Sequence, residues 1–207
     1  MTRLLIASNN EGKVEEIREL FNGMNYDIVS MRDTGINIHV EEDQPDFVGN
    51  SFKKAKEVSD KTGEIVMADD SGLEVEALNS LPGVYSARFA GEAASDNDNN
   101  IKLLSLMKEV PEKRRRARFR CVITIYWPDG TYLQTEGTCP GKIGYEPVGE
   151  GGFGYDPLFL PTGFNKSMAE LTADEKNKIS HRAFAIKAMV DLLSKINDTS
   201  RKMMLDE

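Results

Sequence analysis

The stretch that decides the fold reads Ile65-Val66-Met67-Ala68-Asp69-Asp70-Ser71-Gly72. Its first four residues are apolar and begin with two β-branched side chains, which predicts a short buried strand. Two carboxylates then end the strand, and burying such charges is unfavourable unless a cation, a hydrogen bond or solvent receives them. Because side chains alternate across a strand, Asp69 and Asp70 are expected to point in opposite directions. On its own the pair is also typical of a solvated Asx turn.

Strand and helix patterns alternate on both sides of this stretch. A strand at 4–7 is followed by helical spacing over 14–21, and a second helix at 48–59 leads into the central strand. Further along, a strand at 119–127 turns back into 131–135, which predicts an antiparallel hairpin. The order predicts an α/β fold with a mixed sheet and with functional sites at strand ends.

Composition sets the class of protein. With 207 residues the chain is long enough to bury a core without covalent staples, and we expect one domain at 1–196 followed by a frayed tail at 197–207. The net charge of −8 disfavours nucleic acid polymers and anionic membranes as partners. The basic run at 113–116 is interpreted as a solvated connection, and no apolar stretch is long enough for a membrane span.

The two cysteines indicate the compartment. Cys121 and Cys139 lie far apart and outside C-x-x-C spacing, which disfavours a structural zinc site. We therefore expect two free thiols and a reducing cytoplasm.

A polar segment between the first strand and the first helix is the first candidate site. It comprises Ser8, Asn9, Asn10, Glu11, Gly12 and Lys13. A loop that enters a helix presents free N–H groups and the positive end of the helix dipole, which suits a phosphate, and Lys13 adds a full charge. The segment lacks the Walker pattern, so an ordinary helix cap is an equally open interpretation.

Two later segments carry groups that suit a planar base. The glycine-rich loop at 149–157 holds Phe153, Gly154, Tyr155 and Asp156, and glycines let a ligand approach an aromatic ring closely. Lys176 precedes Ser180-His181-Arg182, whose donors could recognise acceptors on a heterocycle. The loop could instead be a wide turn whose aromatics pack inward, but two aromatics and a carboxylate in so few residues favour binding; a lone His or Arg at a helix start is more often a solvated cap.

An acidic run, Glu41-Glu42-Asp43, is the last candidate. Such runs are usually solvated surface. If the run lies near Asp69 or Asp70, its carboxylates could instead bind Mg²⁺.

Taken together, these segments resemble the inosine triphosphatase or HAM1-like family of pyrophosphatases, which act on nucleoside triphosphates with non-standard purines. The resemblance extends from Leu4 to about Leu193. The motifs that carry it are, in chain order, Ser8-Asn9 with Lys13, Phe47 with Asn50 and Lys54-Ala55, Ala68-Asp69-Asp70-Ser71-Gly72-Leu73, Pro82-Gly83-Val84-Tyr85-Ser86-Ala87-Arg88, Ala117-Arg118-Phe119, Gly152-Phe153-Gly154-Tyr155-Asp156-Pro157, and Lys176 with Ser180-His181-Arg182.

The resemblance implies an elongated, two-lobed single α/β domain, with a long mixed β-sheet flanked by helices and an active-site cleft between the lobes. It also implies a cytoplasmic homodimer that hydrolyses ITP, dITP and XTP to the monophosphate and pyrophosphate with Mg²⁺. The alternative is a nucleotide-binding regulatory protein with little turnover.

Residue roles follow from the same resemblance. Asp70 would accept a proton and bind the metal, and Ser71 would contact substrate. The segment 8–13 with Lys176 would bind the triphosphate, while 153–156 with His181 and Arg182 would hold the base; Asn50 and Lys54 are further substrate-binding candidates. The chain departs from the family at Gly49, where an acidic residue is usual. Glu41, Glu42 and Asp69 are therefore further candidate metal ligands.

Overall fold

The protein forms one mixed β-sheet of six strands in the order β2-β1-β3-β4-β5-β6. The computed structural model describes the backbone of residues 1–205 and the side chains of residues 1–196. The tail predicted at 197–207 lies outside the described side chains. Strand bounds are β1 Thr2–Ile6, β2 Tyr26–Ser30, β3 Val66–Val75, β4 Arg116–Tyr126, β5 Tyr132–Ile143 and β6 Phe159–Pro161. β1 runs parallel to β2 and β3, and every pair from β3 to β6 is antiparallel, which confirms the mixed sheet.

Within residues 1–205, five α-helices flank the sheet. They are α1 Glu11–Leu20, α2 Phe47–Thr62, α3 Asp96–Leu106, α4 Ala173–Ile179 and α5 His181–Leu205. The first four begin at polar caps whose side chains accept a hydrogen bond from the first helical turn; these are Asn10, Asp46, Ser95 and Thr172. A short 3-10 helix, Gly83–Arg88, packs against β3. Among the residues that the structure describes, no helix is both long and apolar enough to span a bilayer.

Strand β3 continues through the two aspartates, so the prediction that the strand ends there is wrong. All ten of its residues pair with β4, from Val66 opposite Tyr126 to Val75 opposite Ala117. The ladder satisfies the backbone groups of 69–75 that face β4, and on the other edge the Leu73 N–H donates to the Ser86 hydroxyl and the Val75 N–H to the Leu81 carbonyl. Because the strand stays extended, Asp69 and Asp70 do face opposite sides of the sheet, as predicted.

Three apolar clusters divide the domain into two lobes. One cluster includes Leu73 and Phe119 and packs where β3 ends and β4 begins. The other two cover opposite faces of the sheet where β3 begins and β4 ends, one around Met67 and the other around Ala68. The segment 69–72 lies between these cores, so the domain brings its carboxylates to the junction of the lobes.

The basic run before β4 is not entirely solvated, contrary to prediction. Arg115 is only 1% exposed, and its guanidinium donates to the carbonyls of Met107, Ile143 and Gly144. The side chain therefore ties the end of α3 to the end of β5, which is a structural role.

Candidate active site

The phosphate-loop candidate is only partly a loop. Asn10 caps α1 by accepting from the Lys13 N–H at 3.0 Å, and the Ser8 hydroxyl oxygen accepts from the Asn10 N–H at 3.2 Å. Glu11, Gly12 and Lys13 therefore belong to the first turn of α1 rather than to the loop. The positive end of this helix and the Lys13 ammonium point to the same side of the sheet as Asp69.

Asp69 is buried and engaged by cations. Its Oδ2 lies 3.2 Å from both Lys13 Nζ and an Arg182 guanidinium nitrogen, and it accepts from the Ser71 hydroxyl at 3.1 Å. Burial alone would raise the pKa of Asp69, but the Lys13 and Arg182 charges hold that pKa well below its usual range. Asp69 is thus an ionised anchor that holds two cations through Oδ2, while its buried Oδ1 has no hydrogen-bond partner among the described residues.

Asp70 lies on the opposite face and has different surroundings. Its Oδ1 is 3.9 Å from Lys54 Nζ, and within the part of the chain that the structure describes its buried Oδ2 has no hydrogen-bond partner. Burial raises the pKa of Asp70, and the charges of Lys54 and Lys13 offset this only in part. A buried carboxylate of this kind, with one oxygen unengaged, is suited to accept a proton.

Lys54 links Glu42 to Asp70, because its ammonium lies close to both carboxylates. Lys54 Nζ lies 2.8 Å from Glu42 Oε1, and Arg88 contacts the same carboxylate at 3.5 Å while donating to the Glu42 carbonyl at 2.8 Å. Glu41 is exposed, and it lines one cavity together with Glu42, Lys54 and Asp70. Burial would raise the pKa of Glu42, but the charges of Lys54, Lys13 and Arg88 lower it, so Glu42 is ionised.

The predicted metal ligands do not form one cluster. Among the described residues, no three His, Cys, Asp or Glu side chains are grouped closely enough to hold a metal ion. Asp69 faces away from Asp70 and is engaged by Lys13 and Arg182. Asp70, with its unengaged oxygen, and Glu42 still fit Mg²⁺, because this ion is usually bound through one or two carboxylates together with waters and substrate phosphates.

Gly49, where the family usually has an acidic residue, lies in the first turn of α2. A Cβ at this position would lie 2.8 Å from the Cβ of Gln44, which packs over it. Gln44 is held there by Asn50, whose side-chain oxygen accepts from the Gln44 N–H at 3.0 Å. Asn50 is fully buried, and its hydrogen bond fixes the position of Gln44 beside Gly49.

Two cavities meet at the junction of the lobes. The larger, of about 810 Å³, is lined by charged groups that include Lys13, Glu42, Lys54, Asp70 and Arg88. The smaller, of about 100 Å³, is lined by Phe153, Tyr155, Lys176, His181 and Arg182. Asn10, Lys13, Ser71 and Ala87 line both. We call them the charged compartment and the aromatic compartment.

Phe153 supplies the flat surface of the aromatic compartment. Lys176 Nζ and Arg182 Cζ lie 5.5 and 5.8 Å from the centre of its ring. The His181 ring stacks on Phe119 at 4.9 Å. Burial and the Arg182 charge lower the pKa of His181 well below its usual value, so its imidazole is neutral. Tyr155 is buried, and its hydroxyl donates to the Ser86 carbonyl at 2.8 Å.

A chain of alternating charges joins the two compartments. Glu16 of α1 pairs with Arg182 through one oxygen and with Lys176, at 3.1 Å, through the other. Lys176 also lies 2.9 Å from Asp156, whose pKa is raised by burial. The order is Lys13, Asp69, Arg182, Glu16, Lys176, Asp156. Displacing any one of these six side chains would therefore alter the ion pairs of its neighbours in the series.

The structure also brings in residues that the sequence analysis missed. Glu16 could have been predicted from the sequence, since it lies three residues after Lys13 and therefore on the same face of the helix. Arg88 lies within a motif of the resemblance but was given no role. Neither its contact with Glu42 nor the burial of Cys121 4.0 Å from Asp69 could be inferred locally, because each depends on how distant segments pack.

The fold is that of an α/β protein in which a cavity lined by charges of both signs adjoins one lined by aromatic rings and cationic donors. A model of the Ham1 family matches residues 4–192, and the chain belongs to this family. This confirms the predicted family.

Individual relatives match over nearly the full chain. The chain is 50% identical over 194 residues to the dITP/XTP pyrophosphatase of Desulforamulus reducens, covering 94% of this chain and 96% of that protein. It is 45% identical over 193 residues to the Bacillus subtilis protein of the same name, covering 93% and 98%. The structure of the Staphylococcus aureus Ham1 protein superposes with a TM-score of 0.83 at 39% identity, covering 94% and 99%. The predicted fold class is confirmed by this similarity.

Proposed function

We propose that this protein hydrolyses purine nucleoside triphosphates with a 6-oxo base, namely ITP, dITP and XTP, to the monophosphate and pyrophosphate. The observation that carries the proposal is Asp70, a buried carboxylate with a raised pKa and an unengaged oxygen, beside a cavity lined by Lys13 and Lys54. Relatives named dITP/XTP pyrophosphatase support the choice of reaction and substrate. Removal of these nucleotides would cleanse the nucleotide pool.

The charged compartment binds the triphosphate in this proposal. Lys13 and Lys54 supply positive charge, and the N-terminus of α1 supplies backbone N–H groups. Asp70 accepts a proton from a water molecule that attacks the α-phosphorus. The new bond joins the water oxygen to the α-phosphorus, the bond from that phosphorus to the bridging oxygen breaks, and pyrophosphate leaves.

Magnesium dependence forms part of the same proposal. Asp70 and Glu42 would hold Mg²⁺, which when bound neutralises phosphate charge and stabilises the leaving pyrophosphate. Of the other candidates, Glu41 lines the same cavity as Asp70 and Glu42, whereas Asp69 lines neither cavity.

Base choice follows from the donors of the aromatic compartment. Arg182 and Lys176 carry only donor groups, which suit the 6-oxo oxygen of hypoxanthine or xanthine. A 6-amino purine presents a donor where an acceptor is needed, so the buried Arg182 Nε, which has no partner among the described residues, would stay unpaired at a cost of about 1–3 kcal/mol. ATP should therefore be a poor substrate.

One assay tests the reaction. The protein is incubated with ITP, dITP, XTP, GTP or ATP, with Mg²⁺ or with a chelator, and the products are separated. We expect IMP and pyrophosphate from ITP, little turnover of ATP, and loss of activity on chelation that added Mg²⁺ restores. Release of orthophosphate with IDP would contradict the proposal, and so would binding of ITP without turnover, which is the regulatory alternative. The implied homodimer is tested separately by sedimentation.

A further inference from the structure

Helix α3 contacts the glycine-rich loop through two side chains that the sequence did not predict as site residues, of which Asp96 also lines the aromatic compartment. Asp96 Oδ2 accepts a hydrogen bond from the Gly154 N–H at 2.6 Å, and Asn100 Nδ2 donates one to the Gly154 carbonyl at 2.9 Å. The two side chains are four residues apart, so they project from one face of the helix, about one turn from each other. One helix face thus holds both peptide groups that flank the Gly154 Cα.

This support acts on a loop in which glycines flank Phe153 on both sides and Asp156 already accepts a hydrogen bond from the Phe153 N–H. Gly152 and Gly154 both have positive φ, at +74° and +60°, and glycine in this region has many accessible conformations. Phe153 lies between them, and its ring carbons would lie within 3.1 Å of a Cβ at Gly12, so the ring packs against the first turn of α1. A small rotation at Gly154 would therefore move the ring away from Lys176 and Arg182.

Neither side chain is needed for the helix itself. The N-terminal cap of α3 is a complete capping box between Ser95 and Asp98, to which Asp96 contributes nothing. Asn100 is buried, and its Oδ1 has no hydrogen-bond partner within the described part of the chain. An unpaired buried amide oxygen is unfavourable, so capping and packing do not account for this residue.

The neighbouring Asn99 holds the opposite wall of the site. Its Oδ1 accepts from the Ala90 N–H at 2.8 Å, and its Nδ2 donates to the Ala87 carbonyl at 3.1 Å. Ala87 lines both compartments. A single helix therefore fixes the segment 87–90 on one side and Gly154 on the other.

We infer that Asp96 and Asn100 are positioning residues of the aromatic compartment, which hold Gly154 so that Phe153 faces the purine. The inference deepens the proposed function and rests on it. It makes the first two turns of α3 a determinant of base affinity: Asn100 acts through the loop, whereas Asp96 acts through the loop and also lines the aromatic compartment.

The test separates base binding from phosphate binding. Binding of IMP and of inorganic tripolyphosphate, which has no base, is measured by calorimetry for the wild type, Asp96→Ala, Asp96→Asn and Asn100→Asp. We expect Asp96→Ala and Asn100→Asp to weaken IMP binding about three- to tenfold, the range for one lost hydrogen bond, with tripolyphosphate affinity within about twofold of wild type. Asp96→Asn keeps an acceptor for the Gly154 N–H and should restore IMP binding.

Asp98→Ala is the matched control, because it removes a carboxylate from the same helical turn without touching Gly154. It should lower thermal stability but leave IMP affinity within about twofold of wild type, as expected for loss of a helix cap. Equal effects of Asp96→Ala and Asp98→Ala on IMP, parallel losses of IMP and tripolyphosphate, or no loss at all would overturn the inference. A wild type that releases no pyrophosphate from ITP overturns the proposed function instead, and the IMP titrations still decide the role of Asp96 because they need no turnover.

Discussion

Asp69 and Asp70 are adjacent in the chain, yet their surroundings shift their pKa values in opposite directions. Cations surround Asp69 and lower its pKa, whereas burial dominates at Asp70 and raises its pKa. Environments that separate two neighbouring carboxylates in this way are typical of sites where one of them exchanges a proton. The alternation of side chains along β3 produces this difference in pKa, since the two carboxylates project from opposite faces of the sheet.

Asp70→Asn tests the role of the carboxylate whose pKa is raised. We expect kcat for ITP to fall about 10²- to 10⁴-fold, the usual contribution of a positioned base, while ITP binding persists because Lys13 and Lys54 are unchanged. Single-turnover kinetics and calorimetry provide the two readings. Asp60→Asn, which removes a carboxylate from an exposed pair with Lys56, is the control and should keep full activity. Unchanged turnover of Asp70→Asn would remove Asp70 from the mechanism.

Asp69→Asn should act on stability instead. The change leaves Lys13 and Arg182 without their shared buried anion, and breaking a buried pair from one side costs about 3–5 kcal/mol. Denaturant unfolding measures the loss, and the exposed Asp60→Asn again serves as the comparison, with little change expected. If both variants unfolded at the same denaturant concentration, Asp69 would not be the anchor of this network.

The raised pKa of Asp70 also predicts a pH dependence. A proton acceptor must be deprotonated, so kcat/KM should fall as the pH drops through a value above the ordinary pKa of an aspartate, about 3.9. Lys54→Gln removes a charge that lowers this pKa and should move the acid limb to higher pH. Ionisation of the substrate phosphates is the same for both enzymes, so the difference between the two profiles is the measurement. A shift to lower pH would contradict the assignment.

At the scale of the elements, Gly137 of β5 determines how closely α5 approaches the sheet. A Cβ there would lie 2.1 Å from the His181 carbonyl oxygen and 2.5 Å from the Ala185 nitrogen. Gly137→Ala should therefore displace the start of α5, which carries Arg182, and reduce the free energy of unfolding by about 1–3 kcal/mol.

The same displacement should weaken IMP binding more than tripolyphosphate binding, because Arg182 lines the aromatic compartment. Glu136→Ala, at the adjacent exposed position, changes the strand without adding a clash and is the control. Equal affinities of Gly137→Ala and wild type for IMP would show that the start of α5 tolerates the added methyl group.

The elements differ in how far the sequence predicts them. Helix starts such as Ser95 and Thr172 were predictable because a capping box is local chemistry. The continuation of β3 past Asp70 was not, since it depends on a ladder with β4, about fifty residues later in the chain. The candidate site was predicted mainly through its motifs. The contact of Asp96 with Gly154 joins segments 58 residues apart and has no local signal.

At the scale of the whole molecule, the two compartments draw on different parts of the domain. The charged compartment is built largely from the β1–α1 junction and the segment 38–44, whereas the aromatic compartment draws on the glycine-rich loop, α4 and the start of α5. A bound triphosphate would therefore contact both regions at once. Ser71, between the lobe cores, lines both cavities and stands at the point where they join.

Because the two compartments come from different segments, each ligand should slow the hydrogen exchange of backbone amides in the segment that it contacts. In the Asp70→Asn protein, which should bind ITP without consuming it, ITP should protect amides of both 7–13 and 149–156. Inorganic tripolyphosphate should protect only 7–13, and inosine only 149–156, because each carries one half of the contacts. Protection by ITP confined to one segment would mean that the compartments do not bind one ligand together, and the assignment of base and phosphate to them would be wrong.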